Sequence, residues 1–429
     1  MFNRKFIVII ILILLITGCT VKHNNLPETD NGEDGKIIEE NNNEDEKTAE
    51  KNNQGKEDPE EPLDRLKIQI ENMTLEEKVG QMLLVGMEGY EIDGNITELI
   101  QSHHVGGIIL YGKNVKNSEQ LLSLINSLKN INSSNKIPLF ISVDEEGGSV
   151  SRNPREIKKL PTARSIGKTK DVSLAFKAGK LLGKTVRAFG YNMNFAPVLD
   201  IDSNPLNPVI GNRAFGQTAE IVSSMGVATL KGIREEGVIP VVKHFPGHGD
   251  TTVDSHVGLP VINHDLEKIM NFEIVPFKHA IGNGADAVMV AHILLSQIDQ
   301  EYPASMSNII ITDILRNKLN FQGVVVTDDM TMGAIEKNYN MGDAAIQSVK
   351  AGADILLIGH EYEKALTVLS AIKDEISKGN ISIDRIDESV YRILKLKGKY
   401  NLKDSIIEDL NIEKINGEID EALQSASFK

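Results

Sequence analysis

The sequence predicts an α/β fold, namely a (β/α)₈ TIM barrel that forms a single catalytic domain with extra terminal helices. Two observations lead to this prediction. Eight short apolar runs alternate with amphipathic segments long enough for helices. Several runs are continuously apolar, as expected for parallel strands that are covered on both faces. An open doubly wound sheet is the alternative, but no glycine-rich phosphate fingerprint follows the first run.

The predicted strands share a β-rich apolar composition. They span residues 79–87, 105–111, 138–143, 193–199, 239–242, 287–290, 323–326 and 355–358. Thr74 and Glu77 have the spacing of a helix capping box before the first strand, and residues 383–402 have the pattern of a helix. We therefore expect a catalytic domain over residues 63–402 and a C-terminal extension over 403–429.

The N-terminal segment has the features of a secretory signal. A short basic stretch precedes an apolar run over residues 6–16, which is too short to cross a bilayer comfortably. The run ends at Cys19, the only cysteine of the chain, in a sequence that resembles the lipobox of bacterial lipoproteins. We interpret residues 1–19 as a lipoprotein signal peptide with Cys19 as the lipidated residue, although an incidental cysteine is the alternative. The expected location is extracytoplasmic, on the bacterial cell membrane.

An acidic segment follows the signal. Residues 22–62 carry 14 acidic and 5 basic side chains, a net charge of −9 out of the chain's formal −15, and almost no large apolar groups. Such a segment cannot bury enough surface to offset its ordering entropy. We predict a disordered tether over residues 20–62, and neither the acidic balance nor any basic cluster indicates nucleic acid binding.

Charged side chains follow the predicted strands, and the active sites of barrels lie at these carboxyl ends. The third strand leads into Asp144, the fourth into Asp200, the fifth into Lys243 and His244, and the seventh into Asp328. A solvated loop would also be polar, but it would rarely place charges directly after the last strand residue. The pattern predicts one converging site.

The loop after the fifth strand contains His244, His248, Asp254 and His256, bracketed by glycines and a proline. These side chains could bind zinc, but they lack the helical spacing of a zincin, and we expect neither a metal nor an organic cofactor. The alternative is a dyad in which Asp254 orients His256 while the imidazole exchanges protons with substrate. A purely structural contact would be the usual interpretation of such a pair taken alone.

The presence of Asp328 favours a catalytic role for the Asp254 and His256 pair over a structural one. A carboxylate at the barrel mouth can attack an anomeric carbon and form a covalent glycosyl-enzyme. Adjacent strand residues point to opposite faces, so we expect only one of Asp328 and Asp329 to face the cavity. Asp200 and Asp202 are expected to brace the loop after the fourth strand, and His292 is expected to be a satisfied strand-end histidine.

Two segments together resemble glycoside hydrolase family 3. Residues 314–328 look like its nucleophile signature, and residues 243–256 resemble the segment distinctive of its bacterial β-N-acetylglucosaminidases. The resemblance extends from about residue 63 to about residue 402. It implies that Asp328 is the nucleophile, that His256 is the acid/base on a mobile loop, and that Asp254 completes the dyad.

The same resemblance implies a set of ligands for the sugar. These residues are Asp144, Arg152, Arg213, Lys243 and His244. One position departs from the family, which commonly has arginine where this chain has Ser149, and a secondary contact is expected to be lost there. Longer relatives carry a second domain after the barrel, whereas only about seventy residues follow the eighth predicted strand here.

The expected activity is exo-hydrolysis of terminal β-linked N-acetylglucosamine with retention, on glycans such as peptidoglycan fragments. A β-N-acetylglucosaminide phosphorylase and a β-glucosidase of the same family remain open, since phosphate could replace water as the acceptor. A metal-dependent hydrolase and a non-catalytic cell-wall-binding lipoprotein are more remote. The expected partners are a carbohydrate substrate and the membrane, and the expected state is a monomer.

Overall fold

The computed structural model describes residues 62–425, with the side chains of residues 65–424. The predicted signal peptide, Cys19 and nearly all of the predicted tether lie outside the described residues. Among the described residues, no helix is both long enough and apolar enough to cross a membrane.

Eight parallel strands close into a barrel, as the sequence predicts. In chain order they are β1 (Leu83–Val85), β2 (Gly107–Leu110), β3 (Phe140–Val143), β4 (Met193–Asn194), β5 (Ile239–Phe245), β7 (Ala287–Val290), β9 (Val324–Asp329) and β10 (Ile355–Ile358). Their order around the barrel is β1-β10-β9-β7-β5-β4-β3-β2. A separate parallel pair, β6 (Val261–Ile262) and β8 (Leu294–Leu295), lies outside the barrel.

Helices surround these strands. They are α1 (Pro62–Glu71), α2 (Leu75–Gln81), α3 (Gly94–Gln101), α4 (Ser118–Ile131), α5 (Ala163–Thr169), α6 (Val172–Phe189), α7 (Ala219–Glu235), α8 (Leu266–Lys268), α9 (Val275–Gly282), α10 (Gly333–Glu336), α11 (Met341–Ala351), α12 (Tyr362–Ser377), α13 (Ile383–Lys399) and α14 (Ile412–Ser425). Two further helical segments, Ile269–Glu273 and Ile309–Lys318, have π-helical hydrogen bonding. The core is mostly aliphatic, with buried phenylalanines such as Phe140 and Phe245 on the barrel strands.

Four predicted strands are longer than the observed ones, namely those over 79–87, 105–111, 138–143 and 193–199. The predicted first strand over 79–87 begins inside α2, because the capping box of Thr74 and Glu77 starts a helix that continues through Gln81. The predicted fourth strand over 193–199 ends at Asn194. Pro197 has no amide hydrogen for a ladder, and beyond it only Val198 forms an isolated bridge, with Lys243.

The fifth predicted strand is too short, because β5 continues through Lys243 and His244 to Phe245. The seventh predicted strand is also too short at its carboxyl end. It continues as β9 through Asp328 and Asp329, so both carboxylates belong to the strand itself. At the C-terminus, the segment after residue 403 includes α14, whose Ile415 and Ile419 are buried and which packs on α6.

Candidate active site

The carboxyl ends of the strands surround a cavity of about 510 Å³. Seven of the eight predicted catalytic and sugar-binding residues line it, namely Asp144, Arg152, Arg213, Lys243, His244, His256 and Asp328. Asp254 is not among the lining residues but contacts His256 directly. Ser149 is exposed and does not line the cavity. The fold therefore brings together side chains that lie up to 184 positions apart, from Asp144 to Asp328.

A buried charge network forms one wall of the cavity. The Nζ of Lys243 lies 2.5 Å from Asp144 Oδ1 and 2.7 Å from Glu146 Oε1. Arg213 binds the same Glu146 in a bidentate manner, at 2.9 Å from Nε and 2.7 Å from Nη2. The side chains of Lys243 and Glu146 are 3% and 5% exposed, so each buried charge depends on its partners.

The electrostatics of this wall keep its groups ionised. Burial alone would raise the pKa of Glu146, but Lys243 and Arg213 hold that pKa well below its usual range. Burial would lower the pKa of Lys243, and the adjacent Asp144 and Glu146 raise it above its ordinary value instead. The wall thus presents fixed cationic donors and carboxylate acceptors, which suits the hydroxyl groups of a sugar.

His244 is oriented by a fully buried carboxylate. Its Nδ1 donates to Asp200 Oδ2 at 2.6 Å, while Asp200 Oδ1 accepts the amide hydrogens of His244 and His248. Burial raises the pKa of Asp200, but the two histidines and these hydrogen bonds keep it below its ordinary value. On the other side of the ring, Arg213 Nη2 lies 3.4 Å from His244 Nε2. Among the described residues, the hydrogen bonds of the Asp200 side chain all go to the end of β5 and the loop after it, so Asp200 braces that segment and not, as the sequence predicts, the loop after the fourth strand.

Asp202 and His292 have structural partners, as the sequence predicts. Asp202 pairs with Arg164, which also donates to the carbonyl oxygen of Gly211 in the loop after β4. The fully buried His292 contacts Ser305 Oγ at 2.6 Å through Nδ1 and the carbonyl oxygen of Asp329 at 3.0 Å through Nε2. His292 is thus a satisfied strand-end histidine that lies beside the nucleophile candidate.

Asp328 lies on β9 and borders the cavity. Burial would raise its pKa, but the neighbouring His292 and His244 and the amide of Asp329 hold that pKa below its ordinary value. A carboxylate that stays ionised under these conditions can act as a nucleophile.

The expectation that only one of the two adjacent carboxylates faces the cavity is wrong, because Asp329 borders it as well. The two differ in their hydrogen bonds. Asp329 Oδ1 accepts from the amide and hydroxyl of Thr331 and from the amide of Gly359, and its Oδ2 accepts from Tyr111 Oη at 3.0 Å. Asp329 is therefore tied to the scaffold, while Asp328 accepts only the amide of Asp329 at 2.9 Å among the hydrogen bonds of the described residues.

Asp254 and His256 form the predicted pair. His256 Nδ1 donates to Asp254 Oδ1 at 2.7 Å, and the same oxygen accepts the amide of His256 at 2.9 Å. These bonds outweigh burial and hold the pKa of Asp254 below its ordinary value. The side chains are 66% and 37% exposed for His256 and Asp254, so the pair lies at the open side of the cavity with Nε2 available to a substrate.

The histidines and acids from His244, at the end of β5, to His256 do not converge on one point. His244 pairs with Asp200, His248 contacts Thr251 and Ser255, and His256 pairs with Asp254. Within residues 62–425, no three His, Cys, Asp or Glu side chains are grouped so that they could hold a metal ion.

Several residues that line the cavity were not predicted from the sequence, among them Glu146, Tyr111 and His360. Glu146 lies in a run of acids directly after β3, and nothing in that run distinguishes the residue that bridges Lys243 and Arg213. Tyr111 directly follows β2, and His360 lies two residues after the end of β10. Their rings stack, with the ring centroids 5.1 Å apart. Their position just after predicted strands is the sequence feature that could have identified them as site residues.

Known proteins have sequences similar to that of this chain. The model of the glycosyl hydrolase family 3 N-terminal domain matches residues 74–396. The β-hexosaminidase of Glaesserella parasuis is 36% identical over 293 residues, which cover 68% of this chain and 84% of that protein. β-Hexosaminidase A of Pseudoalteromonas piscicida is 37% identical over 71% of this chain, but the match spans only 55% of that longer relative.

A solved structure is also similar. The family 3 β-N-acetylglucosaminidase from Paenibacillus sp. strain FPU-7 superposes with a TM-score of 0.77 and is 41% identical. The match covers 82% of this chain and 68% of that one.

Proposed function

The chain belongs to glycosyl hydrolase family 3, and we propose that it is a retaining exo-β-N-acetylhexosaminidase that releases terminal β-linked N-acetylglucosamine. The observation that carries this proposal is the placement of Asp328 and His256 on one cavity whose remaining wall is the Asp144, Lys243 and Arg213 network. The β-hexosaminidase and β-N-acetylglucosaminidase relatives support the choice of an amino sugar as the substrate.

The first step forms a covalent glycosyl-enzyme. A carboxylate oxygen of Asp328 attacks the anomeric carbon, and the bond from that carbon to the leaving oxygen breaks as His256 gives it a proton. Asp254 accepts a hydrogen bond from Nδ1–H throughout, which stabilises the imidazolium whose Nε2–H is the proton donor and leaves Nε2 as the free base once that proton has been given up. The low pKa of Asp328 keeps the nucleophile ionised at neutral pH.

The second step releases the sugar. Neutral His256 takes a proton from water, the water oxygen attacks the anomeric carbon, and the ester bond to Asp328 breaks. The configuration is retained because the carbon is inverted twice. Throughout, Lys243, Arg213, Asp144, His244 and Arg152 hold the hydroxyl groups of the sugar.

One set of assays tests this function. Aryl β-N-acetylglucosaminide and aryl β-glucoside are compared with the wild type, Asp328→Ala and His256→Ala, with and without phosphate. We expect hydrolysis of the amino sugar substrate, and its loss in Asp328→Ala. Wild-type turnover by Asp328→Ala would overturn the mechanism, a preference for the glucoside would indicate a β-glucosidase, and sugar 1-phosphate as the product would indicate a phosphorylase.

We further propose that the enzyme acts outside the cytoplasm as a membrane-anchored monomer on peptidoglycan fragments. The basic and apolar N-terminal run that ends at Cys19, followed by the acidic residues 22–62, supports an anchor and a tether. Release of the Cys19→Ala protein from the membrane fraction is the expected result, and retention of this variant would contradict lipidation. Light scattering after size-exclusion chromatography tests the oligomeric state, and we expect the mass of a single chain.

A further inference from the structure

The acid/base loop is docked on the segment that follows the nucleophile strand. We use "dyad loop" for residues 254–257, which contain Asp254 and His256, and "anchor segment" for residues 333–337, which comprise α10 and Lys337. The anchor segment begins five positions after Asp328. Asp328 and the segment on which the loop of His256 is docked therefore belong to one short stretch of the chain, residues 328–337.

Two hydrogen bonds flank His256. The amide of Ala334 donates to the carbonyl oxygen of Ser255 at 3.0 Å. The Nζ of Lys337 donates to the carbonyl oxygen of Val257 at 2.6 Å. The residues immediately before and after His256 are thus both held by the anchor segment. On the other side, Ser255 Oγ contacts Nε2 of the buried His248 at 3.1 Å.

Gly333 permits this close contact. A Cβ atom at position 333 would lie 2.6 Å from the carbonyl oxygen of His256 and 3.1 Å from that of Val257. Both of these are backbone atoms, so neither can be relieved by the rotation of a side chain. Any larger residue at this position would push the dyad loop and the anchor segment apart.

Little else holds the tip of the dyad loop. The His256 side chain is 66% exposed and Val257 is 62% exposed, so neither contributes much buried apolar surface. The position of the acid/base group accordingly depends on a few polar contacts, in contrast to Asp328, which is fixed by a barrel strand.

We infer that Gly333 and Lys337 are positioning residues that hold His256 at the working distance from the anomeric carbon attacked by Asp328. This inference rests on the proposed function, since it takes His256 as the acid/base. Loosening the anchor segment would impair proton transfer, because a donor must lie within hydrogen-bond reach of the leaving oxygen. The nucleophilic attack itself would be preserved.

Substrates with different leaving groups separate these effects. A dinitrophenyl leaving group departs without a proton, whereas a simple sugar or alkyl aglycone requires one. For Gly333→Ala we expect kcat/KM to fall by about tenfold or more with the poor leaving group and by less than about threefold with the dinitrophenyl substrate. For Lys337→Met, which loses one exposed hydrogen bond, we expect a smaller loss of about three- to tenfold with the poor leaving group.

Azide provides a second readout. When the base is displaced, hydrolysis of the glycosyl-enzyme becomes slow, and azide can attack the anomeric carbon without losing a proton. Azide should therefore raise kcat of Gly333→Ala on the dinitrophenyl substrate and yield glycosyl azide, with little effect on the wild type. A loss that is merely structural would lower activity equally for all leaving groups and would not respond to azide.

Matched variants serve as controls. Gly282→Ala also places a methyl group in a helix, but with no atom within 4 Å, and should behave as the wild type. Lys278→Ala removes an exposed helical lysine and should do the same. Lys337→Arg keeps a donor at the position and should recover most of the activity lost in Lys337→Met.

His256→Ala separates the two proposals. If His256→Ala shows the strong leaving-group dependence and azide rescue while Gly333→Ala and Lys337→Met match the wild type, the anchor inference is wrong and the proposed function stands. If His256→Ala itself retains wild-type turnover on the poor leaving group, the proposed acid/base is wrong.

Discussion

The buried carboxyl group of Glu273 makes a pH-dependent stability prediction. Its residue is 1% exposed, and neither carboxyl oxygen makes a hydrogen bond of good geometry within the described residues. Burial, together with the nearby charges of Asp200 and Asp250, raises its pKa from 4.5 to about 8. It packs against Gly247 in the loop that follows β5, where an added Cβ would lie 2.9 Å from the Glu273 Cβ.

The sign of the effect follows from proton linkage. The unfolded chain releases this proton near pH 4.5, whereas the folded protein retains it up to about pH 8. The contribution of protonated Glu273 to the stability of the folded protein is therefore complete below pH 4.5 and is lost as the pH rises from 4.5 through 8. At 1.36 kcal/mol for each pKa unit, the upper limit of the loss is about 5 kcal/mol, and relaxation of the loop should reduce it to about 2–4 kcal/mol.

Glu273→Gln tests this reasoning, because glutamine has nearly the same shape and does not ionise. The free energy of unfolding is measured by urea denaturation with circular dichroism at about pH 5, 7 and 9. We expect variant and wild type to be similar at the lowest pH and the variant to be more stable by about 2–4 kcal/mol at the highest. Exposed Glu267→Gln is the control and should show no such divergence. A constant difference between Glu273→Gln and wild type across this range would refute the reasoning.

Three further expectations concern the site. Asp328→Asn should lower kcat/KM by at least about a thousandfold with an unchanged melting temperature, and a loss below about tenfold would argue against a nucleophile. Glu146→Gln leaves Lys243 and Arg213 buried with reduced charge compensation, so urea unfolding should show a loss of about 2–4 kcal/mol together with a raised KM, and unchanged stability would contradict the network. Dialysis against EDTA should leave kcat unchanged, and a loss that zinc restores would favour the metal-dependent alternative.

The barrel could be predicted because its strands are encoded locally. The runs at 287–290 and 355–358 match the observed strands residue for residue, since each is a buried apolar stretch that directly follows an aspartate. The prediction includes residues 79–81 in the first strand because Val79 begins a largely apolar run, but apolar composition alone does not distinguish a helix from a strand, and here the capping box starts a helix.

The site could be predicted as a set of strand ends and a loop, but its detailed contacts could not. Alternation along an ideal strand suggested that Asp329 points away from the cavity. The register between β9 and β10 shifts near Leu357, and both carboxylates border the cavity. The bridging role of Glu146 depends on Arg213, which is 67 positions away, and such a pairing is visible only once the chain is folded.

Identification of the residue that carries the covalent intermediate tests the mechanism most directly. His256→Ala is mixed with dinitrophenyl β-N-acetylglucosaminide, quenched with acid during turnover and digested, and the peptide that carries one added N-acetylglucosaminyl group is sequenced by mass spectrometry. We expect the sugar on Asp328. A sugar on Asp329, or the absence of any adduct during a measurable burst of dinitrophenol, would contradict the proposed nucleophile.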